Sequence, residues 1–420
     1  MERVDIAIVG AGAAGLAAAI FAGEAARGTG CRIVALDGAR KLGAKILVSG
    51  GGRCNVTNVD VRPEDYWGGP RPVVRNVLRA FDHRRTLEWM ETLGVPLKLE
   101  PTGKYFPVTD SARTVLEALL RRVGEVGVEL RPGARVKDVR RTESGFEIHF
   151  ADAPPLAARR IVMAMGGLSL PKSGSDGAGL AMARRLGHGI VPTTPALVPL
   201  LLGKAPGAGG HFADWSGITI DARLAVREPN GKAREERQGS LLFTHFGISG
   251  PAALDLSRHW LRARLETPAG EAGVTLGHPE FANEEAARAW LAVQTREHPT
   301  RMAATALQTL WPERLARELA GPGTPLGQLP KAERRRLARE LAALPLNVTG
   351  GRGYSFAETT AGGVDLREID YRTMESRKAP GLFLCGEMLD VDGRIGGFNF
   401  QWAWASGYLA GRGATASLAG

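Results

Sequence analysis

The 420 residues are 44% hydrophobic and carry a formal net charge of +10, apolar enough to fill cores in two or three domains and in no part composed like a disordered segment. The three cysteines, Cys31, Cys54 and Cys385, stand far apart with no CxxC or CxxxxC pair, which excludes a disulfide framework and a redox dithiol and leaves any hydride chemistry to a cofactor. The positive charge is largely arginine scattered along helical segments, as at Arg121-Arg122 and Arg334-Arg335-Arg336; without aromatic interleaving it reads as solvated surface, not as a nucleic-acid footprint.

Glu2, Arg3 and Asp5 open the chain unlike a signal peptide, and Glu24 interrupts the first apolar helix well short of a bilayer's width, so a cytoplasmic protein is expected. Residues 4–9 form an apolar strand that runs into Gly10-Ala11-Gly12-Ala13-Ala14-Gly15 and then a helix through Leu16 and Ile20. This is the context in which GxGxxG marks a dinucleotide site: Gly10 permits the turn, Gly12 lets the backbone approach a pyrophosphate, and Gly15 lets helix and strand pack closely. Phosphates would then face the positive end of the helix. A second strand, residues 32–36, ends at Asp37, placed to accept hydrogen bonds from ribose hydroxyls.

A glycine-rich loop, Ser49 to Cys54, follows, then helical patterns at 73–81, 84–93 and 111–124 and short strands at 128–131, 135–139 and 146–150 spaced as a β-meander. Residues 160–164 return to the central sheet. Prolines at 192, 195 and 199 mark a change of composition, after which β-like segments at 218–226 and 240–243 precede a helical stretch from 283 to 343. We read 1–191 and 346–420 as two parts of one α/β nucleotide-binding domain, interrupted by an inserted domain at 192–345 that is part β and part helical. Gly381 to Gly386 is the returning strand, and a last helix begins at Gly396-Gly397-Phe398-Asn399.

That return suits a long, extended ligand such as FAD, held at one end by the first helix and at the other by the last. Glu387 takes the place of the acid that binds the ribityl chain. Amides around Gly397, Phe398 and Asn399 aim a helix N-terminus at the flavin N1/O2 edge.

The segment Lys45-Ile46-Leu47-Val48-Ser49-Gly50-Gly51-Gly52-Arg53-Cys54-Asn55-Val56-Thr57-Asn58 resembles the signature loop of the BaiN/YhiN-type flavoproteins, the aminoacetone-oxidase-like FAD-binding family. Segments at 103–112, 166–188, 241–254 and 359–407 fit the same family in the same order. The resemblance implies a glutathione-reductase-like Rossmann domain interrupted by a β-barrel and a small helical bundle, with FAD bound non-covalently. On matching positions it assigns Gly10, Gly12, Ala14, Gly15 and Asp37 to the ADP half. It puts Lys45, Gly52, Arg53, Cys54 and Asn55 along the path from pyrophosphate to flavin, and Gly386, Glu387, Gly397, Phe398 and Asn399 at the ribityl and ring end. Asp37 stands where many relatives carry Glu, which shortens its reach to the ribose.

Individually, Arg53 could grip phosphate or carboxylate or be a surface charge, and Cys54 reads as packing. Val136 could offer backbone groups to adenine. His245, at a strand end before Pro251, could serve as an acid–base group or substrate contact, or only stabilise its turn. Lys104, Tyr105 and His211 are lesser candidates of that kind; Trp402 and Trp404 read as core, and no metal site is expected. With no second strand-borne GxGxxG, a dedicated nicotinamide domain is absent, although NAD(P)H could visit transiently as electron donor. The expectation is an FAD-dependent oxidoreductase of a small organic substrate, reoxidised by dioxygen or by exchange with NAD(P)H. The alternatives are a flavoprotein that binds or modifies RNA and a non-catalytic flavin sensor; the residues leave the oligomeric state open.

Overall fold

The structure, a computed structural model, describes residues 1–203, 212–267, 272–321 and 323–419. It divides into two compact units, Met1–Pro195 with Ala357–Gly420, and Ala196–Phe356. In the first, β1 (Glu2–Val9), β2 (Ile33–Asp37), β3 (Glu129–Pro132), β4 (Leu156–Met163) and β5 (Leu382–Leu384) form the parallel core of a nine-stranded sheet in the order β3-β2-β1-β4-β5. The central strands end in apolar runs, with Ile6, Ile8, Leu36 and Val162 wholly buried, as a parallel sheet covered on both faces requires, whereas the edge strand β3 is polar and buries no residue. Because β1 lies between β2 and β4, the strand order reverses there. The crevice at the carboxyl ends of β1 and β4 is where doubly wound sheets take their ligands.

Helix α1 (Ala13–Ala25) is buried from Ala14 to Gly23 and is made almost wholly of small residues because a second helix crosses it closely. That partner is the terminal helix Phe398–Ala416. A β-carbon at Gly407 would lie 2.6 Å from the Ala14 carbonyl oxygen, and one at Gly411 2.3 Å from that of Ala18. The helices therefore touch backbone to backbone, the last element of the chain against the first.

The second unit is built on a seven-stranded antiparallel sheet in the spatial order Leu344–Leu346, Gly273–Gly277, Thr219–Arg227, Ala233–Thr244, Gly247–Ser249, Leu200–Leu202, Val348–Gly351. Its two edge strands are separated by Asn347 only, so the sheet curls back on itself. Helix Pro251–Glu266 and helices Glu284–Glu297, Glu313–Ala320 and Lys331–Ala343 complete a core around Trp260, Phe243 and Leu315. The boundary differs from the predicted 192–345: Leu344–Leu346 and Val348–Gly351 pair within this sheet, which carries the unit on to Phe356. The hairpin arm Ala233–Thr244 also begins earlier than the apolar residues suggest. Its charged stretch alternates exposed and half-buried positions, a period of two that a hydrophobicity scan passes over.

Among the described residues no helix is long and apolar enough to cross a membrane. Gly411→Val should destabilise the first unit by about 1–3 kcal/mol through overpacking and lower the bound flavin content, since it pushes α1 from the terminal helix. Thermal unfolding and the flavin absorbance of the purified variant check this; wild-type values for both would show that the helices have room to spare.

Candidate functional site

The turn after β1 is dictated by its neighbours. A β-carbon at Gly10, where φ is +102°, would lie 2.4 Å from the Ala164 carbonyl oxygen, and one at Gly15 would lie 1.7 Å from that of Gly10. Gly12 is different: a β-carbon there meets nothing within 4 Å. No side chain caps α1 at Gly12 and its first turn holds no acid, so the helix presents its amides and positive dipole end uncompensated, the arrangement that binds phosphate. Ala14 abuts Gly386, where a β-carbon would lie 2.6 Å from its methyl.

Asp37 does not project from the end of β2 as an uncommitted ribose acceptor. Its Oδ2 accepts from the Ala11 amide and its Oδ1 from the Ala39 amide, both at 2.7 Å, so the carboxylate clamps the glycine turn and offers a ribose only its remaining lone pairs. Val136 is buried in strand Val136–Thr142 opposite Phe150. The preceding Arg135 packs against Gly38 and pairs with Asp176, which brings this strand beside the turn that follows Asp37.

Lys45 and Glu387 meet. The Lys45 ammonium donates to Glu387 Oε2 at 2.5 Å and to Ser169 Oγ at 2.7 Å, while Glu387 Oε1 accepts from Ser169 Oγ at 2.5 Å and Thr360 Oγ1 at 2.8 Å. Thr360 Oγ1 accepts in turn from the amides of Leu168 and Ser169. Ser169 and Thr360 are fully buried, and the sequence reading did not single them out although both lie inside its family segments. Their signal there is weak, because a serine or threonine becomes informative only once its charged partner is known.

The loop from Ser49 turns through Gly50, Gly51 and Gly52, all left-handed, and Cys54 follows at φ +62°. Arg53 points away from phosphate chemistry: it pairs with Glu100 at 2.6 Å, lies 3.6 Å from Asp110 and stacks on Phe106 at 4.0 Å. Its charge is matched within the protein. Asn55 ties the loop to the chain's end, its Oδ1 accepting from the Gly397 amide and its Nδ2 donating to the Thr57 carbonyl, each at 3.1 Å. Thr57 bonds Gln401 at 2.7 Å, Asn58 bonds the Gly396 carbonyl at 3.0 Å, and Lys104 lies beside Gly396. Tyr105 bonds through its backbone carbonyl to Val56.

At the start of the terminal helix, Phe398 is buried and its carbonyl accepts from Tyr66. The Asn399 amide closes a two-bond ring on Gly393, 2.9 Å each way. Trp402 donates to the Gly386 carbonyl and Trp404 to that of Val56; both are core. Ala14, Gly386, Glu387 and Lys45 thus form one contiguous group in the first unit, and Asn55 and Gly397 another.

His245 lies in the second unit, exposed at the tip of the hairpin between Ala233–Thr244 and Gly247–Ser249, its ring against that of Phe246. His211 lies outside the described residues. Ser376, His188 and Glu368 are linked as a hydrolase triad would be, at 2.8 and 3.0 Å. The His188 side chain is wholly buried, burial lowers its pKa, and Ser376 Oγ already accepts from the Lys378 and Ala379 amides; the cluster is structural. Among the described residues no group of three or more His, Cys, Asp or Glu is placed to hold a metal ion.

Residues 4–413 match the family described as HI0933-like protein Rossmann domain. The chain belongs to this family. The HI0933-like chain is 35% identical to a 3-dehydro-bile acid delta(4,6)-reductase of Clostridium scindens, over 97% of its own length and 98% of the relative's. It is 33% identical to a ribosomal RNA dihydrouridine synthase of Escherichia coli, over 97% of each. Among solved structures it is similar to a 3-ketosteroid-delta4-(5alpha)-dehydrogenase from Rhodococcus jostii, at 16% identity and a TM-score of 0.50, covering 100% of this chain and 97% of that one. The fold is the FAD-binding Rossmann type, and the HI0933-like chain is an FAD-dependent oxidoreductase.

Burial pushes the Cys54 and Cys385 thiols up to about 12, and burial with the nearby Asp5 carboxylate raises Cys31 to about 11. At pH 8 a thiol with a pKa of 12 is about one part in ten thousand thiolate. The folded protein should therefore leave Cys54 and Cys385 unmodified by a disulfide reagent over minutes and release all three thiols in denaturant. Rapid native labelling of Cys54 would show instead that its loop opens to solvent.

Proposed function

We propose that this protein binds FAD non-covalently along the surface that joins α1 to the terminal helix, and that it reduces a C=C bond conjugated to a carbonyl in a small organic substrate. The observation that carries the reading is the uncapped N-terminus of α1, with Gly12 open to a ligand on a helix that touches the terminal helix. The amides of the Gly10 to Gly15 turn, Ala14 included, hold the pyrophosphate, while Asp37 takes the ribose through its outer lone pairs and Val136 borders the adenine. Lys45 and Glu387 fix the ribityl chain. Amides at Phe398 and Asn399 face the ring edge; Gly386 and Gly397, whose own amides donate to Ser406 and Asn55, let the backbone approach it, and Gly52, Arg53, Cys54 and Asn55 shape the loop beneath it.

This is a two-part domain of the glutathione-reductase kind, and we take the curled sheet of the second unit as its inserted barrel. Bound and reduced, FAD supplies the hydride, with NAD(P)H as a transient source of electrons and dioxygen as a competing acceptor. The protein's own part is to orient the two reactants and to hold Glu387 against Lys45. The names of the two relatives agree on the bond: a delta(4,6) 3-oxo steroid and a uracil ring each present C=C conjugated to C=O.

An anaerobic spectrum tests this. The yellow protein should bleach with NADPH or NADH and regain its oxidised-flavin band on addition of an enone such as 4-androstene-3,17-dione before air is admitted. Reoxidation by air only, or full bleaching by aminoacetone, would move the activity to an oxidase.

A second reading, a uracil base within RNA as substrate, is favoured by one feature of the surface. Helix Arg71–Ala80 carries Arg71, Arg75 and Arg79 exposed at i, i+4 spacing, with no acid in the helix and no ion pair to any of the three among the described residues. Elsewhere arginines at this spacing meet glutamates, as in Arg288–Glu284 and Arg317–Glu313. Like charges at i, i+4 cost stability, a cost that a polyanion removes. Replacing all three by Glu should weaken binding of a ribosomal RNA fragment and lower its logarithmic salt slope by about 2 for a single strand. An unchanged slope would confine the stripe to solvent contact.

A further inference from the structure

We propose that Lys104, in the first unit, is the cation that stabilises negative charge at the pyrimidine edge of bound FAD when the flavin is reduced; the proposal deepens the reading given above and rests on it. Lys104 opens strand Lys104–Pro107, which pairs with Thr57–Asn58 so that Lys104 stands opposite Asn58. Asn58 donates to the Gly396 carbonyl at 3.0 Å, and Gly397 presses on the Thr57 backbone, where its β-carbon would lie 2.6 Å from the carbonyl carbon. The register therefore delivers Lys104 to the turn that opens the terminal helix. Its side chain lies along that turn: a β-carbon at Gly396, where φ is +121°, would meet Asn58 Nδ2 at 3.3 Å and Lys104 Cε at 3.6 Å.

What the ammonium lacks is an anion. Lys104 is half-buried, and among the described residues no hydrogen bond or ion pair is made by its side chain. The acids that follow the three strands of its small sheet, Thr57–Asn58, Lys104–Pro107 and Leu97–Leu99, are taken: Asp60 by Arg62, Asp110 by Lys98 and Glu100 by Arg53. Arg394, the other cation of the turn, is matched by Asp65 at 3.3 Å. The terminal helix adds donors of its own, because Gly397 brings no capping side chain, its first turn holds no acid, and the Phe398 and Asn399 amides have no acceptor among the described residues. A cation and a helix N-terminus, both without an acceptor, thus border the same two glycines. Half-buried positive charge of this kind is stabilised by an anion brought to it.

Reduction of a flavin creates that anion. Hydride delivered to N5 forms an N–H bond there, and the electron pair it displaces in the ring settles as negative charge on N1 and the C2 carbonyl oxygen, while the nicotinamide that gave it is oxidised by two electrons. The amides of Phe398 and Asn399 offer that edge partial charges, and Lys104 adds a whole one. In a half-buried place its field is screened less than at an open surface. It therefore favours the reduced, anionic ring over the oxidised, neutral one and makes a nicotinamide a more effective donor. Lys104 moves no proton in this role.

The test uses the full-length, FAD-loaded protein and sulfite, which adds reversibly to flavin N5, bleaches it and leaves the same charge on N1 and the C2 oxygen. Lys104→Met should keep wild-type FAD content and weaken sulfite binding about tenfold, as loss of a charged contact does. The two-electron midpoint potential should fall by about 30 mV, the equivalent of that factor. Lys104→Arg should restore both. Lys98→Met removes the same charge where Asp110 matches it and should change neither; an equal shift there would reduce the effect to net charge and overturn the assignment. Asn399→Asp puts an acid at the assigned ring edge and should also weaken sulfite binding. Weakened binding in Asn399→Asp, with wild-type affinity and potential in Lys104→Met, overturns the role of Lys104 and spares the placing of the ring. If neither variant moves either quantity, the ring lies elsewhere and that part of the reading falls together with the proposal.

Discussion

Two stretches of chain converge on Ala14 with no room for a side chain between them. A β-carbon at Gly386 would strike its methyl, one at Gly407 would lie 2.6 Å from its carbonyl oxygen, and the Cys385 thiol faces the same carbonyl at 3.9 Å. Close backbone approach of this kind tolerates no added methylene, because packed interiors do not deform to accept one. The first turn of α1 takes its position from this contact, and so does the open ground at Gly12. The beginning of the chain cannot make the site until its end has arrived.

The second constraint is electrostatic. Glu387 follows Gly386 directly, so the strand end that packs on Ala14 also carries a partly buried carboxylate. A charge in that position must be paired and hydrogen-bonded or it destabilises the fold by several kcal/mol. Lys45, Ser169 and Thr360 meet that need from three remote parts of the sequence. The same bonds hold the Lys45 helix, the Gly167 turn and strand Thr359–Val364 in register. One carboxylate thus sets the relative positions of the groups assigned here to the ribityl chain.

What could be read in the sequence is what is local. The β1 turn follows from strand period, glycine spacing and helix onset within twenty residues, and the return of the chain to the same sheet shows as an apolar run ending in Gly386. Partners at long separation were not legible. Nothing near Asp37 says that its oxygens serve the amides of Ala11 and Ala39, and nothing near Glu387 points to Ser169, 218 positions away. The edge of the inserted unit was misplaced for the same reason: residues 344–351 look like a linker until their pairing with Gly273–Gly277 and Leu200–Leu202 is known.

Arginine shows most plainly why composition could not locate the site. Arg53 sits in the glycine loop that carries the family likeness and was the natural choice for an anion contact, yet Glu100 and Phe106 satisfy it and Asp110 adds to the field. Arg352 follows two glycines in a segment that sequence reading passed over, and its guanidinium lies against the rings of Phe246 and Phe356. A stacked guanidinium keeps its charge and its donors, whereas a carboxylate beside it consumes both. Whether an arginine can act on a ligand is therefore decided by the acid that is or is not within reach, and that acid is set by the fold, however suggestive the motif around the arginine.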